Sequence, residues 1–203
     1  MKILLISGSQ NPRGATSEAV SFAEETILRL GREVIKHTVS SVSWACTGCG
    51  YCKKNGECIA SDLSSLYKKA ETSDAIMIFT PTHYLGASPA LTADLSRLFM
   101  SRMSAVKGKP AAVAAVGRRA GLTSAISEVL KFFSFSASPI ANGPYPAAYY
   151  GKGDGEGRES VELLAESLVW LTDAVMRAKA QGLTPPSLER RCKTDLRSVR
   201  SEG

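Results

Sequence analysis

The fold is decided near the start of the chain by the stretch KILLISGSQNPRGATSEAV, residues 2–20. Its first part, Lys2–Ser7, is a short apolar run of the kind that forms a buried strand. A polar loop begins at Gly8 and leads into a segment with apolar residues at every third or fourth position, which predicts an amphipathic helix. Thr16 or Ser17 is predicted to cap that helix. A buried strand that leads through a glycine loop into a helix is typical of a parallel α/β sheet.

The rest of the chain repeats this alternation of apolar strands and helical patterns, which predicts a three-layer, doubly wound, five-stranded parallel sheet. The predicted strands are Lys2–Ser7, Glu33–Val39, Asp74–Phe79, Lys109–Val116 and Ser138–Ala141. The third of these is predicted to be central and to stop at Thr80-Pro81. Asp62 is predicted to cap a short helix, and the last helix to run from Glu159 to Ala180. Residues 142–157 are predicted to be irregular.

Length and composition predict one globular domain, since 203 residues with 44% hydrophobic content can bury a core without disulfide bonds. The domain boundaries expected here are residues 1–180, with a cysteine loop at 44–58 and a tail at 181–203. No apolar run is long enough for a signal peptide or a membrane span. We therefore expect a cytoplasmic protein whose cysteines are reduced thiols, metal ligands or redox groups.

The formal net charge of +6 is concentrated toward the end of the sequence. Half of the excess falls in the last fourteen residues, whose positive side chains are Arg190, Arg191, Lys193, Arg197 and Arg200. Such a run is usually a solvated, mobile tail. A nucleic-acid partner is the more specific interpretation, and it is disfavoured. The charge alone therefore does not make this a nucleic-acid-binding protein.

The loop after the first strand has the composition of an anion site. Backbone N–H groups and the helix N-terminus converge there, and the loop lacks the P-loop and dinucleotide glycine patterns, so a single phosphate is favoured. A serine-rich turn that only caps the helix is the alternative. The side chains that would contact the phosphate are Ser9, Asn11, Arg13, Thr16 and Ser17.

Two further loops follow the third and fourth strands. The segment Pro81–Gly86 contains Tyr84 beside small and flexible residues, and it lies where a doubly wound sheet places its ligand crevice. The next loop runs from Gly117 to Gly121 and carries Arg118 and Arg119. Together these loops predict a flat apolar wall, free backbone amides and a basic lip, which suit a planar heterocycle.

Four cysteines lie within thirteen residues, at Cys46, Cys49, Cys52 and Cys58, with the spacing C-x2-C-x2-C-x5-C. Three thiols at intervals of three are similar to the thiolate run that holds a [4Fe–4S] cluster in ferredoxins. A structural zinc site, and free thiols or a redox disulfide without metal, are the alternatives. Cys192 lies apart in the tail and is predicted to be inert.

Taken together, the glycine-serine loop, the cysteine spacing and the Pro81–Gly86 segment resemble the iron–sulfur flavoproteins, within the NADPH-dependent FMN reductases of flavodoxin-like fold. The resemblance covers residues 1 to about 180. It implies one FMN per chain, a [4Fe–4S] cluster on the four compact cysteines, and homodimers or homotetramers. It implies phosphate contacts from the five residues of the first loop. The implied isoalloxazine contacts are Pro81, Thr82, His83, Tyr84, Leu85, Gly86, Gly117 and Gly121.

The resemblance also implies an electron path from a protein donor such as ferredoxin, through the cluster to FMN, and on to a small acceptor. No nucleophile or general base is required, because the redox chemistry belongs to the cofactors. One alternative is a cluster-free FMN or quinone reductase that takes hydride from NAD(P)H, with Arg118 and Arg119 on the dinucleotide's phosphates. A zinc-stabilised nucleic-acid-binding module is a third alternative.

The first loop of this chain departs from the family's usual loop, because Arg13 stands two positions later than in the family.

Overall fold

A computed structural model describes residues 1–40 and 44–189 of the chain. Five parallel strands form one sheet in the order β2-β1-β3-β5-β6, and the two-residue β4 pairs antiparallel with β3. The strands are β1 Lys2–Ser7, β2 Glu33–Thr38, β3 Ala75–His83, β4 Gly86–Ala87, β5 Ala111–Val116 and β6 Ala148–Tyr149. This confirms the doubly wound five-stranded sheet, with the third strand at its centre and the second at an edge.

Helices cover both faces of the sheet. The α-helices are α1 Ala15–Arg29, α2 Tyr51–Asn55, α3 Ser64–Thr72, α4 Pro89–Ser101, α5 Leu122–Phe135, α6 Gly155–Ala180 and α7 Pro186–Glu189, with 3-10 turns at Ser61–Leu63 and Met103–Ala105. The helices α1 and α6 pack on one face, and α3, α4 and α5 pack on the other. Alternate residues of β1, β3 and β5 enter opposite cores, which is why these strands are apolar throughout.

The fifth strand position differs from the prediction. Ile140, in the predicted strand Ser138–Ala141, makes only an isolated bridge to Ala111, and the chain then leaves the sheet. It returns as β6, where Ala148 pairs with Ala115. The intervening residues include Pro144 and Pro146, which have no N–H group to donate to a ladder. The segment 142–157, predicted to be irregular, therefore contains β6 and the first turn of α6.

Helix starts also differ from the prediction. Gly14 is the N-cap of α1, and Thr16 and Ser17 lie inside its first turn. The helix α6 begins at Gly155 rather than Glu159, because Asp154 caps it by accepting a hydrogen bond from the Gly157 N–H at 2.9 Å. The helix therefore starts at the residue that follows its capping aspartate, a few residues before the apolar pattern begins.

At the C-terminus, Leu188 of α7 lies against Gly108. Residues 190–203, with the basic side chains and Cys192, lie outside the described residues, so the domain boundary at 180 stays a prediction. No helix in the described part of the chain has the length and apolar character needed to cross a bilayer.

Candidate functional site

The loop between β1 and α1 is tightened by its own side chains. The Gly8 N–H donates to the Phe79 carbonyl at 2.8 Å, which fixes the loop's start against β3. Ser9 Oγ accepts from the Asn11 N–H at 3.3 Å, and Asn11 Oδ1 accepts from the Arg13 N–H at 3.1 Å. Ser17 Oγ donates to the Asn11 carbonyl at 2.7 Å. The result is a compact turn over the N-terminus of α1.

This turn brings together the five side chains predicted to contact phosphate. Asn11 and Arg13 are exposed, Ser9 and Ser17 are half-buried, and Thr16 is buried beneath them. The first N–H groups of an α-helix have no partner within the helix, so those of α1 are available to an anion. The loop therefore supplies mainly backbone N–H donors, and the exposed Arg13 adds a positive charge at its edge.

A tyrosine that the sequence analysis did not use supports this helix end. The Tyr149 hydroxyl, on β6, donates to Glu18 Oε2 at 2.6 Å in the first turn of α1. Burial, followed by the bond to Glu18, raises the pKa of Tyr149 well above its usual value. Because the two residues are 131 positions apart, no local pattern could reveal the contact.

The strand β3 does not stop at Thr80-Pro81 as predicted. It continues to His83 and turns back into β4, with Thr82 opposite Ala87 and His83 opposite Gly86. Two side-chain oxygens hold the return strand: Thr80 Oγ1 accepts from the Ser88 N–H at 3.0 Å, and Glu128 Oε2 accepts from the Ala87 N–H at 2.8 Å. Pro81 is tolerated because it lies at the end of the ladder.

The tip of this hairpin is strained and exposed. Tyr84 has φ +48° and Leu85 has φ +69°, a conformation that hairpin turns require but that normally falls to glycine or asparagine. The Tyr84 ring is fully exposed, and Leu85 and His83 are exposed beside it. Backbone strain of this kind is found at ligand sites more often than elsewhere.

The third loop lies directly against the hairpin. A Cβ built on Gly117 would lie 2.9 Å from Thr82 Oγ1. Gly121, at φ +84°, touches the Leu85 backbone so closely that no side chain fits there. Between the two loops is an open groove of about 650 Å³ lined by Thr82, Tyr84, Leu85, Arg118, Arg119 and Ala120. The predicted convergence of these two loops is therefore present.

The lining of the groove is aromatic and positively charged. Tyr84 offers an aromatic face, and the two arginines offer positive charge. Thr82 also lines the groove, but its Oγ1 is shielded from solvent and makes no hydrogen bond within the described part of the chain.

The four cysteines lie on one loop and face one cavity. Gly50 and Gly56, both at φ near +70°, bracket the short helix α2 and bend the chain on either side of it. All four thiol-bearing residues line a single cavity of about 340 Å³, with apolar walls from Trp44, Ile59 and Met100. Cys52 Sγ lies 3.6 Å from the Met100 carbonyl on α4. The four cysteines are free thiols.

Within residues 1–40 and 44–189, no three His, Cys, Asp or Glu side chains are arranged around one metal ion. A tetrahedral zinc ion would draw four sulfurs to about 2.3 Å from a single point. Two of the four cysteines are exposed and two are half-buried. They line one cavity, but in the described residues no three of them are gathered closely enough to hold a metal ion.

The prediction for Asp62 is wrong, and the reason is a buried arginine that the sequence analysis missed. Asp62 lies in a 3-10 turn and accepts two hydrogen bonds of 2.7 Å from Arg97 of α4. Those bonds lower the pKa of Asp62. Arg97 also donates to Asp94 at 2.9 Å and lines the cysteine cavity. Its partner Asp62 is 35 residues away, so no local pattern in the sequence indicated that pair.

The sequence is similar to known proteins over most of its length. A sequence model of the family described as NADPH-dependent FMN reductase matches residues 1–152. An iron–sulfur flavoprotein of Methanocaldococcus jannaschii is 30% identical over 163 residues, which cover 78% of this chain and 84% of the relative.

Among solved structures, RosB with the bound intermediate 8-demethyl-8-formylriboflavin-5'-phosphate matches with a TM-score of 0.67 and 16% identity, covering 100% of this chain and 88% of RosB. A flavodoxin of Streptococcus pneumoniae TIGR4 matches with a TM-score of 0.58 and 14% identity, covering 84% of this chain and 98% of the flavodoxin. These matches confirm the flavodoxin-like fold.

Proposed function

This chain belongs to the iron–sulfur flavoproteins of the NADPH-dependent FMN reductase family, and from that premise we propose that it passes electrons from a protein donor to a small-molecule acceptor. It is a flavin-dependent oxidoreductase that uses FMN. The finer proposal adds a [4Fe–4S] cluster as the entry point for single electrons. The observation that carries it is the single cavity lined by Cys46, Cys49, Cys52 and Cys58.

FMN would be held at the ends of β1, β3 and β5. The N–H groups of the first loop and α1, with Ser9 and Ser17, would bind its phosphate, and Arg13 would add charge. Thr82 would lie beside the ring, and Tyr84 would pack against the ring's face. When bound, FMN supplies one- and two-electron redox chemistry. The residues of the groove bind, orient and shield it.

The four cysteines would hold the cluster, which supplies one-electron transfer when bound. Exposed Lys53 and Lys54 follow Cys52, and Lys53 lines the cavity. Their charge favours an acidic protein donor, such as a ferredoxin. We also propose a homodimer or homotetramer, as membership of the family implies, with the exposed aromatic residues Trp170, Tyr145 and Phe135 as candidate contacts.

Iron and acid-labile sulfide analysis of protein purified without oxygen tests the proposal. We expect about four of each per chain and a broad brown absorbance beneath the yellow flavin bands. Cys49→Ala is expected to abolish the brown colour and leave FMN bound, because the groove and the cavity share no lining residue. Cys192→Ala, outside the motif, is the matched control and should keep both colours.

A cluster-free reductase is the second candidate. Its supporting observation is that Arg118 and Arg119 line the same groove as Tyr84, where they would bind the phosphates of NAD(P)H. A plain yellow protein with fast NADPH oxidation, and no iron or sulfide, would establish this alternative. Colourless protein with one zinc per chain would contradict both proposals.

A further inference from the structure

Two adjacent arginines of the third loop, Arg118 and Arg119, line the groove beside the hairpin. Both are exposed, and neither side chain makes an ion pair or a hydrogen bond within the described part of the chain. Several other arginines are paired with carboxylates, namely Arg29, Arg32, Arg97, Arg102 and Arg158. The positive charge of the third loop is therefore available to a ligand.

The backbone of the third loop is anchored on both sides of the two arginines. The Gly117 N–H donates to the Tyr149 carbonyl at 3.1 Å, and the Gly121 carbonyl accepts from the Ala125 N–H at 2.8 Å. Gly121 also lies against the Leu85 backbone of the hairpin. The arginines therefore extend into the groove from a loop whose two ends are held in place.

No acidic side chain among the described residues lines the groove to offset this charge. Glu128 lies against the same hairpin, but it accepts a hydrogen bond from the Ala87 N–H at 2.8 Å and is not part of the lining. A cleft lined by charge of one sign raises the local concentration of ligands of the opposite sign. The groove therefore favours a ligand that carries negative charge.

In the proposed arrangement, the phosphate of FMN is not the anion that meets these arginines. The proposed phosphate site follows β1, whereas the arginines follow β5, and β3 lies between those two strands. Neighbouring strands lie about 4.8 Å apart, so the two loops start about 10 Å from each other. The isoalloxazine ring of oxidised FMN is uncharged. A second ligand is therefore needed to supply the negative charge.

We propose that Arg118 and Arg119 bind the anionic group of the electron acceptor, and that the acceptor is a planar aromatic anion such as a quinone with a carboxylate. This inference rests on the FMN site of the proposed function and deepens it by naming the class of acceptor. A guanidinium donates two parallel hydrogen bonds to a carboxylate. Tyr84 and Leu85, exposed in the same groove, supply apolar surface for the ring. Reduction of a quinone to a quinol takes two electrons and two protons, which fully reduced FMN releases as it returns to the oxidised form.

Isothermal titration calorimetry on the oxidised, FMN-loaded protein tests this inference without turnover. The probes are anthraquinone-2-carboxylate and its uncharged carboxamide, which share one ring system and differ in charge. We expect the carboxylate to bind more tightly by about tenfold or more, and added salt to reduce that preference. The double variant Arg118→Gln with Arg119→Gln should bind both probes with the same, weaker affinity. Arg177→Gln with Lys179→Gln is the matched control, because it removes the same charge from exposed residues of α6 that do not line the groove.

Equal affinities of the two probes for the wild-type protein overturn the inference and leave the proposed function intact. A preference that the double variant retains, or that the control variant loses to the same extent, overturns it as well. Loss of FMN from the double variant assigns the arginines to the flavin instead. Binding of NADP⁺ that depends on the arginines, when binding of the carboxylate does not, assigns them to the dinucleotide of the second candidate function. Wild-type protein that binds no FMN overturns the proposed function, and the inference with it.

Discussion

Gly121 shows at the scale of one residue how the groove is built. Its φ of +84° belongs to the left-handed region, and its Cα faces the backbone of Leu85. Any side chain at this position would push the third loop away from the hairpin, because the obstacle is backbone and cannot rotate aside. The width of the groove is therefore set by the absence of a Cβ.

Gly121→Ala is expected to weaken FMN binding by tenfold or more, which corresponds to about 1.4 kcal/mol. It should also destabilise the fold, by about 1–2 kcal/mol for the left-handed conformation alone. Flavin fluorescence titration and urea unfolding measure the two effects. Gly31→Ala is the matched control: Gly31 has φ +71° and open space around it, so only stability should fall. Equal losses of affinity in both variants would contradict the prediction.

Residues whose role is local could be predicted from the sequence, and residues defined by distant partners could not. The cysteine spacing and the glycine-serine loop are both patterns of neighbouring residues. In the structure, the cysteines line one cavity and the loop forms one turn. Arg97, Tyr149 and Glu128 act through partners 35 to 131 positions away. Nothing in a local pattern distinguishes them from ordinary helix or strand residues.

The β3–β4 hairpin is the element that most changes the predicted site. A proline after an apolar run predicted that the strand ends, but backbone pairing across Thr82–Ala87 and His83–Gly86 extends it. The turn then places Tyr84 and Leu85 at positive φ, where each costs of the order of 1 kcal/mol or more. The side chains at the tip are retained despite this cost.

Replacing the turn by its preferred residues, in the double variant Tyr84→Asn with Leu85→Gly, should stabilise the protein without FMN by about 1–2 kcal/mol. The same change removes the aromatic wall and should weaken FMN binding. Thermal unfolding of the FMN-free protein and a flavin titration give the two numbers. Lower stability together with unchanged affinity would show that the tip carries neither strain nor a flavin contact.

The fifth strand position shows where an element prediction reaches its limit. Pairing with β5 is shared between Ile140 and the later β6, with a proline-containing excursion between them. An apolar tetrapeptide at 138–141 predicted the first part, but the return at Ala148 depends on β5 offering a free edge. That condition belongs to the assembled sheet.

At the scale of the molecule, FMN would bridge loops that follow three adjacent strands. The strands β1, β3 and β5 are neighbours in the sheet, although 73 and 36 positions separate the starts of successive strands. A ligand that binds only when all three loops are in place stabilises the whole fold. Saturation at 100 times the dissociation constant should add about 2.7 kcal/mol.

Adding FMN to protein stripped of flavin should therefore raise the midpoint of thermal unfolding by several degrees, about 2–4 °C for each kcal/mol in a chain of this size. Riboflavin, which lacks the phosphate, is the matched ligand control and should give a smaller shift. Equal shifts from both ligands would exclude the first loop as the phosphate site.

The helix α4 begins two residues after β4 and reaches the cysteine cavity at Arg97 and Met100. One inserted residue in an α-helix turns everything beyond it by about 100° and advances it by 1.5 Å. A single insertion between Pro89 and Arg97 would thus rotate the arginine out of the cavity while leaving the hairpin in place. In sequences that evolve from this one, we therefore expect the number of residues between Pro89 and Arg97 to be held as constant as the spacing of the four cysteines.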